Sequence, residues 1–105
     1  MGQFVKVAET TEIATGRVKV VELDGRRIAL CNVQGEIFAI DDICTHDGGS
    51  LDQGELIGDV IECPRHGARF SVRTGRVLAL PAVVPLKTYP VQVDGVDIKI
   101  ALGGA

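Results

Sequence analysis

Cys44, His46, Cys63 and His66 are the residues of this chain best equipped to do chemistry. They comprise both of its histidines and two of its three cysteines, all inside the stretch CTHDGGSLDQGELIGDVIECPRHGARF. Cys44 and His46 form C-x-H; sixteen residues follow; Cys63 and His66 form C-x-x-H. Donors this close in sequence reach one metal position with little loss of chain entropy. Gly48, Gly49 and Gly67 allow the backbone to curl and turn N–H groups toward a buried anion, and Pro64 stiffens the second loop. Two thiolates with two imidazoles leave two readings open. One is a tetrahedral zinc with two sulfurs and two nitrogens. The other is a [2Fe–2S] centre with two cysteines on one iron and two histidines on the other. A zinc finger usually groups its cysteines and then its histidines on a helix. Here each loop supplies one of each, an order that suits two parallel loops each reaching both irons.

The elements that must hold these loops read as strands. Thirteen glycines punctuate short apolar alternations, the pattern of an all-β domain. QFVKVA is a first strand. Residues 16–23 form a second, ended by Asp24-Gly25; 26–33 a third, with Ile28 and Leu30 on one face, ended by Gln34-Gly35; and 36–41 a fourth. Two tight hairpins in succession predict an antiparallel meander. Near the C-terminus, Val91 and Val93 share a period that Val96, Ile98 and Ile100 repeat after Asp94-Gly95. The middle holds its own hairpin, ELI and VIE about Gly58-Asp59, and a turn at Thr74-Gly75 between RFSV and RVLAL. Ala8–Ile13 can form one turn of helix and no more. The expected organisation is a single domain, 1–105. A sandwich-like or barrel-like β base spans about 1–42 and 71–105, and a small inserted β subdomain, about 43–70, carries the two loops.

Composition narrows the function. The 105 residues are 46% hydrophobic, which predicts a folded chain. A net charge of -3 and the absence of Trp argue against nucleic acid as a partner. The N-terminus MGQFVKVAET has no signal-peptide pattern, and the most apolar run, Val77 to Leu86, is too short to span a bilayer. A cytoplasmic protein with no membrane partner is expected. Its reducing compartment leaves the thiols available for metal. Cys31, inside an apolar strand, reads as a buried structural thiol. Asp41-Asp42 reads as a solvated loop entry, and the arginines at 65, 69, 73 and 76 as a solvated face. No Ser/His or paired-acid set is left over, so no catalytic residues are expected.

From about Glu36 onward the sequence resembles Rieske-type [2Fe–2S] ferredoxins, the electron-carrying components of aromatic-ring-hydroxylating dioxygenase systems. The resemblance rests on CTH, LDQGEL, CPRHG, ARFSVRTG and LPAVVPLKTYPV; Ser71 departs from the Asp expected there. It implies a β base with a cluster-binding subdomain and one [2Fe–2S] cluster. Cys44 and Cys63 would ligate the inner iron, and His46 and His66 the outer one. Leu80-Pro81-Ala82 would cover the cluster. Gly48, Gly49, Arg65, Gly67 and Pro81 would form its shell, with backbone amides of 47–49 and 65–67 donating to sulfur.

The resemblance also implies where on the Rieske scale the chain falls. High-potential members clamp their loops with a disulfide, at positions matching Gly49 and Arg65 here. They also place Ser and Tyr hydroxyls at positions matching Ala68 and Phe70. Ala and Phe donate no hydrogen bond to the cluster sulfurs. A potential near the low end of the range, roughly −150 mV, is expected. The implied role is one-electron transfer from a flavoprotein reductase to a terminal oxygenase, through transient docking at a His46/His66 tip flanked by Asp47 and Arg65. The competing class is a structural zinc module, or a Rieske-like small subunit of another redox enzyme such as nitrite reductase.

Overall fold

The computed structural model describes residues 3–45, 48–82 and 84–102. Eleven strands run in chain order: β1 (Val5–Glu9), β2 (Val18–Leu23), β3 (Arg26–Val33), β4 (Glu36–Asp41), β5 (Glu55–Ile57), β6 (Val60–Glu62), β7 (Arg69–Ser71), β8 (Val77–Ala79), β9 (Thr88–Tyr89), β10 (Val91–Asp94) and β11 (Asp97–Ile100). They form three antiparallel sheets. The terminal sheet is β1-β11-β10, the central sheet β2-β3-β4-β9, and the small sheet β5-β6-β7-β8. A single 3-10 turn, Thr10–Glu12, follows β1, and there the Glu9 N–H donates to Glu12 Oε2 at 2.8 Å.

The central hairpins follow from their turn residues. Asp24-Gly25 and Gln34-Gly35 all take positive φ, the two-residue geometry whose twist matches antiparallel strands. Each turn fixes its register, Leu23 opposite Arg26 and Val33 opposite Glu36. β3 is buried continuously from Ile28 to Val33 because the central sheet is covered on both faces. Ile28 and Leu30 face the terminal sheet, packing with Ala8, Ile13, Tyr89, Ile98 and Ile100. Ala29, Cys31, Val33 and Ile40 face the small sheet, packing with Ile61, Phe70, Val72 and Leu86. The molecule is therefore layered, with the central sheet shared by two cores.

The C-terminal hairpin differs in detail from its sequence pattern. Asp94 pairs with Asp97, so Gly95-Val96 is the turn and Val96 is exposed rather than part of the buried period. Val93 is exposed too, whereas Ile98 and Ile100 are fully buried.

The chain leaves the central sheet at Asp41 and returns at Thr88. Exit and return touch, because the Asp41 N–H donates to the Lys87 carbonyl at 2.9 Å and Ala39 pairs with Tyr89. Everything between is one closed excursion that builds the small sheet and three loops. β7 and β8 close it as a hairpin through a register shift between Arg69 and Phe70. Gly75 in that connection has φ +78, and a Cβ there would lie 2.2 Å from the Leu86 carbonyl oxygen. Only glycine permits both that conformation and that approach.

Candidate metal centre

The two loops of the C-x-H and C-x-x-H pairs share one backbone design. The Cys44 N–H donates to the Gly49 carbonyl and the Gly48 N–H to the Cys44 carbonyl, both at 2.7 Å. The Cys63 N–H donates to the Ala68 carbonyl at 2.7 Å, and the Gly67 N–H to the Cys63 carbonyl at 3.1 Å. Gly48 and Gly67, each four residues after its cysteine, take φ +75 and +78. Positive φ there reverses the chain within a turn so that the cysteine is bonded on both sides. The turns that follow Cys44 and Cys63 are thus equivalent in their backbone hydrogen bonds.

Cys44 and Cys63 are buried in one apolar cluster with Leu51, Ile61, Ala68, Phe70 and Ala82. His66 is exposed. His46, with Asp47, lies outside the described residues. Among the described residues no three His, Cys, Asp or Glu side chains close on one metal position. A two-iron centre asks instead for two donors at each of two positions. The donor set fits that group: two thiols on the interior side, both in the apolar cluster, and an imidazole on the solvent side.

The remaining shell candidates divide. Pro81 is half-buried, and its neighbour Ala82 packs in the same cluster as the two cysteines, so the 80–82 loop closes over them. The Thr45 hydroxyl donates to the Val84 carbonyl at 2.5 Å and ties this loop to the first ligand loop. Nothing in residue type or spacing marks Thr45 beyond its place between Cys44 and His46. Gly49 and Arg65 meet: a Cβ on Gly49 would lie 2.5–2.7 Å from three atoms of the Arg65 guanidinium. Ile43, Leu80 and Val84 are exposed apolar residues, Leu80 being 75% exposed.

Asp42 corrects the expectation of a solvated loop entry. Its side chain has no exposed surface. Oδ1 accepts the Leu51 N–H at 2.9 Å and the Asp52 N–H at 2.8 Å. Oδ2 accepts from Ser50 Oγ at 2.7 Å and from Arg27 Nη2 at 3.1 Å. One carboxylate thereby closes the segment 42–52 that carries the first ligand pair. Asp41 is half-buried and accepts the Tyr89 hydroxyl. Burial, and then that hydrogen bond, push the Tyr89 phenol up from its ordinary value. Cys31 is fully buried in β3, where desolvation, with Asp42 adding repulsion, pushes its thiol up to about 12. It stays a neutral thiol, as a structural cysteine should. No disulfide joins the three cysteines.

The arginines are exposed, as expected, and Arg69 and Arg73 form ion pairs. Arg69 pairs with Glu62 at 2.8 Å. Arg73 bridges Asp59 at 2.9 Å and Glu36 at 3.3 Å and lies over the Phe38 ring at 4.8 Å, joining the small sheet to the central one.

Residues 3–90 match the family model of the Rieske [2Fe–2S] domain. The chain belongs to the Rieske [2Fe–2S] domain family. It carries one Rieske-type [2Fe–2S] cluster. Its relatives include the ferredoxin component of biphenyl 2,3-dioxygenase from Rhodococcus jostii (strain RHA1), 42% identical over 101 residues, with 96% of this chain and 94% of that protein covered. Among solved structures, the ferredoxin of carbazole 1,9a-dioxygenase from Nocardioides aromaticivorans IC177 superposes with a TM-score of 0.90 at 36% identity, covering 94% of this chain and 97% of the other. A ferredoxin caught in complex with the reduced oxygenase of carbazole 1,9a-dioxygenase gives a TM-score of 0.88, also at 36% identity, covering 93% and 92%.

Proposed function

We propose that Cys44 and Cys63 ligate the inner iron of the Rieske cluster and His46 and His66 the outer iron. The chain is a one-electron carrier of a ring-hydroxylating dioxygenase system, taking electrons from a flavoprotein reductase and passing them to the terminal oxygenase. The observation that carries the ligand assignment is the pair of equivalent turns, each burying its cysteine in one apolar cluster, with His66 exposed beside them. When bound, the cluster supplies one reversible redox equivalent. The protein supplies the rest: it buries the thiolate side and leaves an imidazole edge as the exit toward a partner.

The small sheet and its loops serve as the cluster-binding unit, and the terminal and central sheets as its base. Ala68 and Phe70 are both fully buried beside Cys63, so no side-chain hydroxyl at those positions donates to the cluster. That supports a low potential, roughly −150 mV. The exposed apolar side chains of Ile43, Leu80 and Val84 would serve docking encounters that bury little area and release quickly. Among the described residues no helix is long and apolar enough to cross a membrane. We place the protein in the cytoplasm, where a reducing pool keeps Cys31 a thiol.

The test is direct. The purified protein should be red-brown, contain iron and acid-labile sulfide in equal amounts, and give a rhombic EPR signal after dithionite reduction. H66A or C63A should abolish that signal. Colourless protein with stoichiometric zinc from an iron-replete culture would overturn the assignment, as would a potential above zero for the low-potential reading.

A further inference from the structure

Gly48 and Gly49 are adjacent glycines held for different reasons. Gly48 takes φ +75 with open space around it, so conformation requires it. Gly49 has no left-handed φ, so its backbone would accept any residue. What it lacks is room, because the Arg65 guanidinium stands 2.5–2.7 Å from where its Cβ would be. The equivalent turn makes the same point. Position five after Cys63 is Ala68, with a side chain, while position five after Cys44 is Gly49. The asymmetry lies where a side chain of the second loop crosses onto the first.

We propose that Arg65 is a noncovalent clamp that ties the two ligand loops by laying its guanidinium on the Gly49 backbone. The inference rests on the ligand assignment above, since the clamp matters only if both loops grip one cluster. The chemistry suits arginine. A guanidinium is planar, weakly hydrated and always charged, so it stacks on a flat backbone surface that a lysine ammonium cannot cover. Cys44 and Cys63 also share one apolar cluster, which does not by itself fix the lateral spacing of their loops, and no disulfide joins them. Arg65 is a positioning residue: it acts on the cluster through the loops, and its charge also favours the reduced, more negative state.

The experiment compares loaded parent protein with R65A, R65K, G49A and R65A/G49A. Three quantities are read: the half-life of visible absorbance under an iron chelator, the reduction potential, and the far-UV melting of the sheets. R65A and G49A should each shorten the half-life several-fold, with sheet melting unchanged. G49A acts here by displacing the guanidinium while leaving its charge in place. The double variant should be no worse than R65A alone, because the two residues form one contact. R65K should keep the parent potential without restoring the half-life, whereas R65A should shift to a more negative potential. Effects that multiply in the double variant would overturn the clamp, as would parent-like half-lives in R65A and G49A. Sheet melting that falls in step with cluster loss would assign Arg65 to general stability and equally overturn it. A parent protein without a Rieske EPR signal would instead refute the ligand assignment, which keeps the two failures distinct.

Discussion

Asp42→Ala should cost about 3 kcal/mol of stability, and the structure says where that cost arises. The carboxylate has no exposed surface and accepts from the Leu51 and Asp52 N–H groups, Ser50 Oγ and the Arg27 guanidinium. Truncation leaves the buried Leu51 N–H without an acceptor, at about 2 kcal/mol, and the half-buried Asp52 N–H likewise, at about 1 kcal/mol. Ser50 Oγ still has Asp52 to donate to, and the half-exposed Arg27 turns to water, so neither adds much. For a domain of this size the loss corresponds to a fall in Tm of roughly 12–24 °C. D42N is the informative control. Its remaining oxygen can serve both backbone amides, but its NH2 faces the Arg27 guanidinium, so it should lose only about 1 kcal/mol. The assay is thermal unfolding of the loaded protein by far-UV ellipticity at one fixed scan rate, since cluster loss makes unfolding irreversible. The segment 42–52 carries two of the proposed ligands, so cluster absorbance should disappear at or below the temperature at which ellipticity is lost. A D42A protein melting within about 2 °C of the parent would refute the reasoning, because less than 0.5 kcal/mol would then reside in those two amides.

Other outcomes follow from single contacts. T45V removes the hydroxyl that holds Val84 and should cost about 1 kcal/mol, with faster air bleaching of the cluster as the 80–84 loop loosens; bleaching at the parent rate would show that the tie is idle. G75A must take φ +78 against the Leu86 carbonyl, so it should lose about 2 kcal/mol or more, measured by urea unfolding. Cys31 gives a pH dependence. Its folded thiol is raised from 9.0 to about 12, so the folded state holds a proton that the unfolded state releases. Stability is then full below pH 9 and falls as pH rises toward 12, by about 1.4 kcal/mol at pH 10. C31A should flatten that part of the profile, and an unchanged slope between pH 8 and 10 would count against burial as its cause.

What the sequence made legible was local. The hairpins at Asp24-Gly25 and Gln34-Gly35 carry their turn chemistry in two residues, and Gly48 and Gly67 mark the short turns that follow Cys44 and Cys63. What it hid was tertiary. Ile28–Val33 reads as a half-buried strand, yet it is buried on both faces, because only the assembled layers reveal a sheet covered on both sides. Val96 fits the period of Ile98 and Ile100 and is nonetheless the turn residue, since the turn forms one position later than Asp94-Gly95 suggests. Asp42 shows the limit most clearly. An Asp-Asp pair before a loop is usually solvated, and nothing local says that Leu51 and Asp52 will bring their N–H groups back to it.

The same division runs through the site itself. The proposed ligands are read from residue type and spacing, but the backbone geometry around them is held by residues with no metal chemistry of their own. Asp42 closes the first loop, Thr45 ties it to the covering loop, and Arg65 reaches it from the second. Each acts through a contact with a backbone group of a distant or reversed segment, so each is invisible to motif spacing and obvious in the fold. Substituting any of the proposed ligands asks whether the cluster is present. Substituting these three asks how firmly it is held, and cluster half-life and potential can answer that while the sheets remain folded.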